Sequence, residues 1–248
     1  MEKIILITGG GRGIGAACAI EAAQRGYRVC ISYRSDDAAA AGVVDAITTG
    51  GGAAFAIKAD VADEAQVEAM FRAIDGRYGR LDALVNNAGV LSQQMRVDQM
   101  DAARIQRIMA TNIVGSMLCA REAVRRMSTR HGGAGGGIVN VSSRAGVLGA
   151  AGEYVDYAAS KAAMDALTIG LSKEVALEGI RVNGVRPGLI HTDMHASGGE
   201  PGRVARLAAS VPMGRGGQPA EVAQAVLWLL SEAASYTTGS FIDVSGGR

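Results

Sequence analysis

Tyr157 and Lys161 are the two residues whose types and spacing point most directly to acid–base chemistry. They stand four positions apart in a helical pattern, so their side chains share one face of the helix. A phenol with a pKa of about 10 exchanges protons poorly at neutral pH, but a neighbouring ammonium favours the phenolate and lowers that pKa. The pair predicts a proton donor and the cation that tunes it. The alternative is an exposed tyrosine beside a solvated lysine.

Further polar residues accompany this pair. Ser142 and Ser143 end an apolar run one loop before Tyr157, and a hydroxyl there can polarise a carbonyl group. Asn112 lies inside a helical pattern, although helix interiors disfavour asparagine. Asn112 therefore predicts either a specific partner for its amide or a kink in the helix.

A glycine-rich turn follows the first apolar run. Thr8–Gly15 has the form T-G-x-x-x-G-x-G, with Gly9, Gly13 and Gly15 at the fixed positions. Glycines there permit a tight turn and a close approach to a pyrophosphate, which the following helix N-terminus attracts. No Gly-Lys-Ser/Thr follows, so the turn is not a P-loop. The position of the turn, between a strand and a helix, predicts a dinucleotide site.

The end of the second apolar run bears on the choice of nucleotide. Ser32–Ser35 contains no carboxylate, whereas a ribose 2′-hydroxyl is usually held by an acidic residue at this point. Arg34 can pair with a 2′-phosphate, and Arg12 lies in the glycine-rich turn. We therefore predict NADP(H) in preference to NAD(H), with Asp60 and Val61 beside the adenine. The alternatives are solvated surface arginines and a helix-capping Asp60.

Short apolar runs alternate with helical patterns along the whole chain. We predict strands at Ile4–Ile7, Arg28–Ser32, Ala53–Lys58, Ala83–Asn86, Ile138–Ser142, Arg181–Val185 and Ser240–Val244. We predict helices at Gly13–Arg25, Asp36–Thr49, Asp63–Tyr78, Tyr157–Leu177 and Pro219–Ser231, and a longer helical region, whole or broken, at Asp101–Met127. This alternation is typical of an α/β fold with a parallel sheet covered on both faces, whose ligands bind beyond the carboxyl ends of the strands.

Two segments interrupt the alternation. Residues 130–137 (RHGGAGGG) are predicted to form a flexible surface loop. The irregular segment 189–213 is predicted to be a lid or binding loop. His191 and His195 within it either touch a ligand or are solvated. Residues 1–248 show no repeat or linker and are predicted to form a single domain.

Composition excludes several classes of protein. The chain has 248 residues, enough for one large core, and its 25 Lys+Arg against 24 Asp+Glu argue against a nucleic-acid or membrane-surface partner. There is no room for a signal peptide and no apolar run of about 18 residues, so we expect a cytoplasmic protein. Cys18, Cys30 and Cys119 lie in apolar runs and are expected to be buried thiols in a reducing compartment. No metal-ligand spacing appears, and no metal site is expected.

Together these motifs resemble those of the short-chain dehydrogenase/reductase family, over essentially the whole chain. The matching segments are Thr8–Gly15, the N-N-A-G of Asn86–Gly89, the later Asn112, the serine before Tyr157 and Lys161, and the P-G-x-x-x-T of Pro187, Gly188 and Thr192. The resemblance implies a single doubly wound Rossmann-type domain with a seven-stranded parallel sheet, usually assembled as a homotetramer.

The resemblance also implies roles for residues of this chain. Tyr157 would be the general acid/base, and Lys161 would lower its pKa and hold the nicotinamide ribose. Asn112 would anchor a proton-relay water, and Ser143, or failing it Ser142, would bind the substrate oxygen. The stretch from Ser143 to Tyr157 is one residue longer than in many members. The remaining implied cofactor contacts are Ile14, Ser35, Asn87, Ala88, Gly89, Pro187, Gly188, Ile190 and Thr192.

Three functions remain open at this stage. The chain resembles 3-oxoacyl-carrier-protein reductases, in which Arg130 and Lys173 would face an acidic carrier protein. It also resembles glucose 1-dehydrogenases, for which the polar segment 189–213 would receive a sugar or polyol. The remote alternative is a non-catalytic NADP-binding sensor.

Overall fold

The computed structural model describes residues 2–248, which form a single α/β domain around one parallel sheet. The strands are β1 (Ile4–Ile7), β2 (Arg28–Tyr33), β3 (Ala53–Lys58), β4 (Ala83–Asn86), β5 (Gly136–Val141), β6 (Ile180–Pro187) and β7 (Phe241–Val244). Their order is β3-β2-β1-β4-β5-β6-β7, with every neighbouring pair parallel. The predicted doubly wound, seven-stranded sheet is confirmed.

Ten α-helices lie within this part of the chain. They are α1 (Gly13–Gln24), α2 (Asp37–Thr49), α3 (Glu64–Tyr78), α4 (Ala102–Met109), α5 (Gly115–Met127), α6 (Ala145–Leu148), α7 (Val155–Val175), α8 (Met194–Ser197), α9 (Arg203–Leu207) and α10 (Pro219–Leu230). The long helical region, predicted as whole or broken, stays helical and contains a π-helical turn at Ala110–Val114 between α4 and α5.

The sheet is covered on both faces because its central strands are apolar at every position. All four residues of β1 are buried. Ile5 and Ile7 pack with α1, α2 and α10 on one face. Ile4 and Leu6 pack with α3 and α5 on the other. Two cores on opposite faces of one sheet require continuous apolar strands rather than alternating ones.

The chain reverses its strand order at β1, and side-chain hydrogen bonds join β1 to β4 there. Thr8, directly after β1, accepts hydrogen bonds at its hydroxyl from the backbone N–H groups of Asn87 and Ala88, each at 3.0 Å. The amide of Asn87 donates back to the carbonyls of Thr8 (2.9 Å) and Gly9 (3.1 Å). These bonds fix the crevice at the carboxyl ends of the strands, where ligands of such sheets bind.

The prediction of a flexible loop at residues 130–137 was wrong at both ends of that segment, where a 3₁₀ turn covers Thr129–His131. Strand β5 already begins at Gly136. A Cβ on Gly133 would lie 2.4 Å from the carbonyl oxygen of Arg126, and one on Gly135 would lie 2.5 Å from that of Gly179. Glycine is needed at these positions because two backbone segments approach closely. In the sequence, such a run of glycines looks the same as a flexible loop.

The segment 189–213 is also more regular than predicted. It contains α8, α9 and a 3₁₀ turn at Ala208–Ser210. Short helices such as these lack the apolar periodicity over 11 or more residues on which a helix prediction depends.

Two further findings concern the chain as described. No helix in residues 2–248 is both long enough and apolar enough to cross a membrane. Cys18, Cys30 and Cys119 are free and buried, and burial raises the pKa of each thiol to about 12. They are therefore inert thiols within the core.

Candidate active site

The glycine-rich turn adopts a conformation that side chains would prevent. Gly9 and Gly13 have φ angles of +63° and +55°, in the left-handed region that favours glycine. A Cβ on Gly15 would lie 2.4 Å from the carbonyl oxygen of Gly9. Helix α1 begins at Gly13, so its unpaired N–H groups and its positive dipole end face the turn. This cradle fits the pyrophosphate of a dinucleotide.

A cleft of about 470 Å³ opens above the turn, and we refer to it as the nucleotide cleft. The predicted cofactor residues that line it are Gly9, Arg12, Gly13, Ile14, Arg34, Ser35, Asp60, Val61, Asn87, Ala88, Gly89 and Thr192. Gly15 lies buried next to the turn, and the other predicted contacts, Pro187, Gly188, Ile190, Tyr157 and Lys161, line an adjoining cavity.

At the outer end of the nucleotide cleft, the arginines have no ion-pair partner, whereas the carboxylates have hydrogen-bond partners. Arg12 and Arg34 are exposed, and within residues 2–248 neither forms an ion pair. The nearby carboxylates are already engaged. Asp37 accepts hydrogen bonds from the Tyr33 hydroxyl (2.9 Å) and from Lys58 (3.2 Å). Asp36 caps α2. The free cations at this end fit a phosphate better than a bare hydroxyl.

The adjoining cavity, of about 170 Å³, contains the predicted catalytic side chains, and we refer to it as the substrate cavity. Ser143, Tyr157 and Lys161 line it together. The two clefts share five lining residues and so form one continuous space; these residues are Ile14, Asn87, Leu91, Thr192 and Met194.

Tyr157 and Ser143 both line the substrate cavity, with the Ser143 hydroxyl close enough to act on the phenol. Burial raises the pKa of Tyr157 to about 12, and the hydrogen bond from Ser143 acts in the opposite direction. Ser142 has a different role, because its buried hydroxyl donates to the carbonyl of Lys161 at 3.1 Å. The second serine is therefore the one beside the phenol.

Lys161 stands next to the phenol but is directed at the backbone. Its ammonium donates to the carbonyl of Val141 at 2.7 Å and lies 5.7 Å from the centroid of the Tyr157 ring. Burial lowers the pKa of Lys161 to about 8, against an opposing attraction from Asp165. Burial and Ser143 determine the direction of the Tyr157 pKa shift here, and the lowering of that pKa by Lys161 stays a prediction.

Asn112 lies in the π-helical turn and has specific partners, as its placement in a helix predicted. Its carbonyl oxygen accepts from the N–H of Val90 at 2.8 Å. Its amide donates to the carbonyl of Val90 and to the hydroxyl of Ser160, each at 3.0 Å. Asn112 thus joins the loop after β4 to α7, between Tyr157 and Lys161. Sequence reasoning missed Ser160, although it directly precedes Lys161.

A buried ion pair fixes the start of α7, and the sequence analysis missed it as well. Arg104 on α4 donates to both carboxylate oxygens of Asp156, at 2.8 and 3.3 Å. The side chains of Arg104 and Asp156 are only 8% and 2% exposed. Asp156 also accepts from the backbone N–H of Tyr157 at 2.9 Å. The spacing of 52 residues left no local signal for this contact.

The predicted substrate-side residues are placed unevenly. His195 is half-buried and lines the substrate cavity, whereas His191 is exposed. Arg130 pairs with Glu178 at 3.2 Å. Neither Arg130 nor Lys173 lines either cleft. Within the described residues, no cluster of three or more His, Cys, Asp or Glu is placed to hold a metal ion.

A family model described as enoyl-(acyl carrier protein) reductase matches residues 9–248. With the fold and motifs above, this match shows that the chain belongs to the short-chain dehydrogenase/reductase family and is an oxidoreductase. It is 60% identical over 245 residues to the uncharacterized oxidoreductase YgfF of Escherichia coli (strain K12), covering 99% of each chain. It is 36% identical over 247 residues to the 3-oxoacyl-[acyl-carrier-protein] reductase FabG of Staphylococcus aureus (strain Mu50), covering 100% of this chain and 98% of FabG.

The fold of this chain also superposes on a solved structure of a reductase. The crystal structure of 3-ketoacyl-(acyl-carrier-protein) reductase from Brucella melitensis, complexed with NADH, superposes with a TM-score of 0.92 at 32% identity. The match covers 99% of this chain and 98% of that one.

Proposed function

We propose that the protein interconverts ketones and secondary alcohols with NADP(H) as its cofactor. The observation that supports this most directly is the Ser143–Tyr157 pair of hydroxyls, which lines a cavity continuous with the nucleotide cleft. A bound nicotinamide would supply the hydride for reduction of a carbonyl carbon.

The residues of the chain supply the proton and the positioning. Tyr157 keeps its proton at neutral pH because burial raises its pKa, and it donates that proton to the alkoxide oxygen formed on reduction. Ser143 donates a hydrogen bond to the same oxygen. We further propose that Lys161 holds the nicotinamide ribose. Asn112 then supports a proton-relay water from the π-helical turn.

The preference for NADP(H) follows from the charges of the nucleotide cleft. Arg12 and Arg34 are free to bind a 2′-phosphate, while Asp36 and Asp37 are occupied by a helix cap and by neighbouring side chains. NAD(H) remains the alternative, because nothing at this end of the cleft clashes with a 2′-hydroxyl.

A 3-oxoacyl thioester is the first candidate substrate, because of the likeness to the FabG protein. The carrier-protein part of that proposal has weaker support, since Arg130 is paired with Glu178 and lies outside both clefts. A sugar or polyol is the second candidate. It is favoured by polar residues that line the substrate cavity, among them Tyr154 and His195. A non-catalytic sensor has no supporting feature beyond the cleft itself.

The deciding experiment follows NADPH oxidation with acetoacetyl thioester and with simple ketones, and NADP⁺ reduction with glucose, with NADH and NAD⁺ in parallel. Tyr157→Phe is the control variant. We expect it to lose turnover by about 10²–10⁴-fold, because the proton donor is gone, and to bind NADPH as tightly as the wild type. Equal losses of turnover and of NADPH binding would contradict the assigned role.

Two wider features belong to the same proposal. Segment 189–213 acts as a lid over the substrate, since Thr192, Met194 and His195 line the clefts. We also propose a homotetramer in the cytoplasm, in line with the apolar side chains exposed on α5 and α7, among them Met117 and Ile169.

A further inference from the structure

Helix α6 and the turn after it place apolar side chains at the rim of the substrate cavity. Ala145, Leu148 and Ala150 line this cavity. Leu148 is also 51% exposed, so it stands where the cavity opens to solvent, and the neighbouring Val147 is 54% exposed. Apolar surface that stays in water contributes little to the core of the protein. It gains free energy when a ligand covers it.

Ala150 has a strained backbone conformation at the same rim. Its φ angle is +48°, and in residues 2–248 it is the one residue other than glycine with a positive φ. This conformation is unfavourable for alanine but not for glycine. The carbonyl of Ala150 accepts from the N–H groups of Glu153 and Tyr154, a role that a glycine carbonyl would fill equally well. Strained residues are concentrated at ligand sites, and the methyl group of Ala150 is what a glycine would lack.

Two arginines that line the substrate cavity already have carboxylate partners in the protein. Arg144 donates to Asp243 at 2.6 Å. Arg203 forms ion pairs with Glu153 and Glu200. A substrate with an anionic tail would have to compete with these carboxylates for the guanidinium groups, and its own charge would lose water on entry. An alkyl tail needs no such exchange.

An apolar path leads from the catalytic hydroxyls to this rim. Helix α6 begins at Ala145, directly after the segment that carries Ser143, so the rim residues follow the serine that binds the substrate oxygen. Four further apolar residues, from the segments after β4 and β6, line the cavity as well: Leu91, Leu189, Ile190 and Met194. Binding free energy grows with the apolar area that leaves water, so each CH₂ group along this path should add affinity.

We propose that α6 and Ala150 form a subsite for the alkyl tail of the substrate, with Leu148 as the residue that selects for its length. The reacting carbonyl lies beside Ser143 and Tyr157, and the tail passes over Leu148 toward solvent. The protein therefore prefers ketones with a longer unbranched chain to short ketones and to ketones with a charged tail. The subsite rests on the ketone chemistry proposed above and deepens it by naming the substrate class.

The test measures kcat/KM with NADPH for butan-2-one, hexan-2-one and octan-2-one. Each partly buried CH₂ group should raise kcat/KM by about twofold, so octan-2-one should exceed butan-2-one by about tenfold or more. The carboxylate analogue of hexan-2-one, 5-oxohexanoate, should be the poorer substrate of that pair. Arg248 also lines the cavity, and a preference for 5-oxohexanoate would show that it recruits an anion. That preference, or equal values for all three alkyl ketones, would overturn the subsite.

Variants at the rim assign the effect to its residues. Leu148→Ser should reduce the ratio of kcat/KM between octan-2-one and butan-2-one to about twofold or less. Ala150→Gly should lower the same ratio by about twofold, while its Tm stays the same or rises because the strain is relieved. Leu177→Ser, at a fully exposed leucine after α7, is the matched control and should keep the wild-type ratio. A Leu148→Ser protein with the wild-type ratio would contradict the assignment.

A second readout separates this proposal from the proposed function. NADPH-loaded Tyr157→Phe protein is heated with each alkyl ketone, and the shift in Tm is measured. Turnover that does not depend on chain length would overturn the subsite and leave the oxidoreductase chemistry intact. A Tm shift that grows with chain length, and that Leu148→Ser/Tyr157→Phe loses, would support the subsite even if no ketone is reduced. Neither turnover nor a Tm shift would overturn both proposals.

Discussion

Burial has opposite effects on the two titratable neighbours in the substrate cavity. It raises the pKa of Tyr157 to about 12 and lowers that of Lys161 to about 8, because each charged form loses water. At neutral pH the phenol is therefore protonated, which is the form needed to donate a proton during reduction.

The depressed pKa of Lys161 predicts a dependence of stability on pH. In the folded protein Lys161 loses its proton near pH 8, whereas an unfolded lysine keeps it up to about pH 10.5. Between these values the unfolded state binds more protons, so the free energy of unfolding rises with pH. We expect the wild type to show this rise relative to Lys161→Met in urea unfolding between about pH 8 and 10. Parallel curves for the two proteins would contradict it.

Arg34 allows a direct test of the cofactor preference. Loss of a charge-assisted bond to the 2′-phosphate should weaken NADPH binding by about 10- to 100-fold in Arg34→Ala, since such bonds contribute roughly 1.5–3 kcal/mol. NADH has no such phosphate, so its affinity should not change. Titration of both cofactors by fluorescence measures this, with Arg72→Ala on α3 as the control. An equal loss for NADH would show that Arg34 only supports the turn.

At the scale of single elements, the start of α7 depends on contacts from distant parts of the chain. Asp156 is held by Arg104 from α4 and in turn binds the N–H of Tyr157. Asn112 bonds Ser160 one turn later. The π-helical turn at Ala110–Val114 thus lies against the catalytic helix, consistent with the frequent use of such turns at functional sites.

The buried ion pair predicts a marked loss of stability when one partner is removed. Arg104→Met leaves the Asp156 carboxylate buried and unpaired, which should lower the free energy of unfolding by about 3–5 kcal/mol. In Arg104→Met/Asp156→Asn the neutral amide still accepts from Tyr157, and more than half of the loss should be recovered. Chemical denaturation measures both variants. A double variant no more stable than the single one would show that the charge is not the cause.

The sequence predicted those parts of the site that depend on local chemistry. A few neighbouring residues are enough to recognise the Tyr157–Lys161 spacing, the glycines of the turn, and Asn112 as an unusual residue inside a helix. Arg104 and Asp156 could not be paired in advance, because 52 residues separate them and each is an ordinary helix-surface type.

At the scale of the whole molecule, the strands and their parallel arrangement could be predicted because each strand is a short apolar run between helical patterns. The segments that were mispredicted are those whose form depends on a remote neighbour. Gly135 is required by the approach of Gly179, and α8 and α9 are too short to show periodicity. Close contacts between segments that are distant in the sequence cannot be predicted from a local sequence pattern.

The exposed apolar side chains predict how the molecule assembles. Ile105, Val114 and Met117, at or between α4 and α5, leave much of their surface exposed. In a homotetramer these residues would be covered by a partner, since large apolar patches seldom stay exposed. Met117→Glu should therefore reduce the mass measured by light scattering, while Met117→Leu should not. A monomeric wild type would refute the proposed assembly.

The shared wall between the two clefts has a kinetic consequence. Both spaces are bordered by Ile14, Asn87, Leu91, Thr192 and Met194. A dinucleotide bound in the larger space would therefore form part of the wall of the smaller one. A ketone that bound before the dinucleotide would enter a cavity that lacks this part of its wall. The structure therefore leads us to expect compulsory-order turnover, in which the nucleotide is the first reactant to bind and the last product to leave.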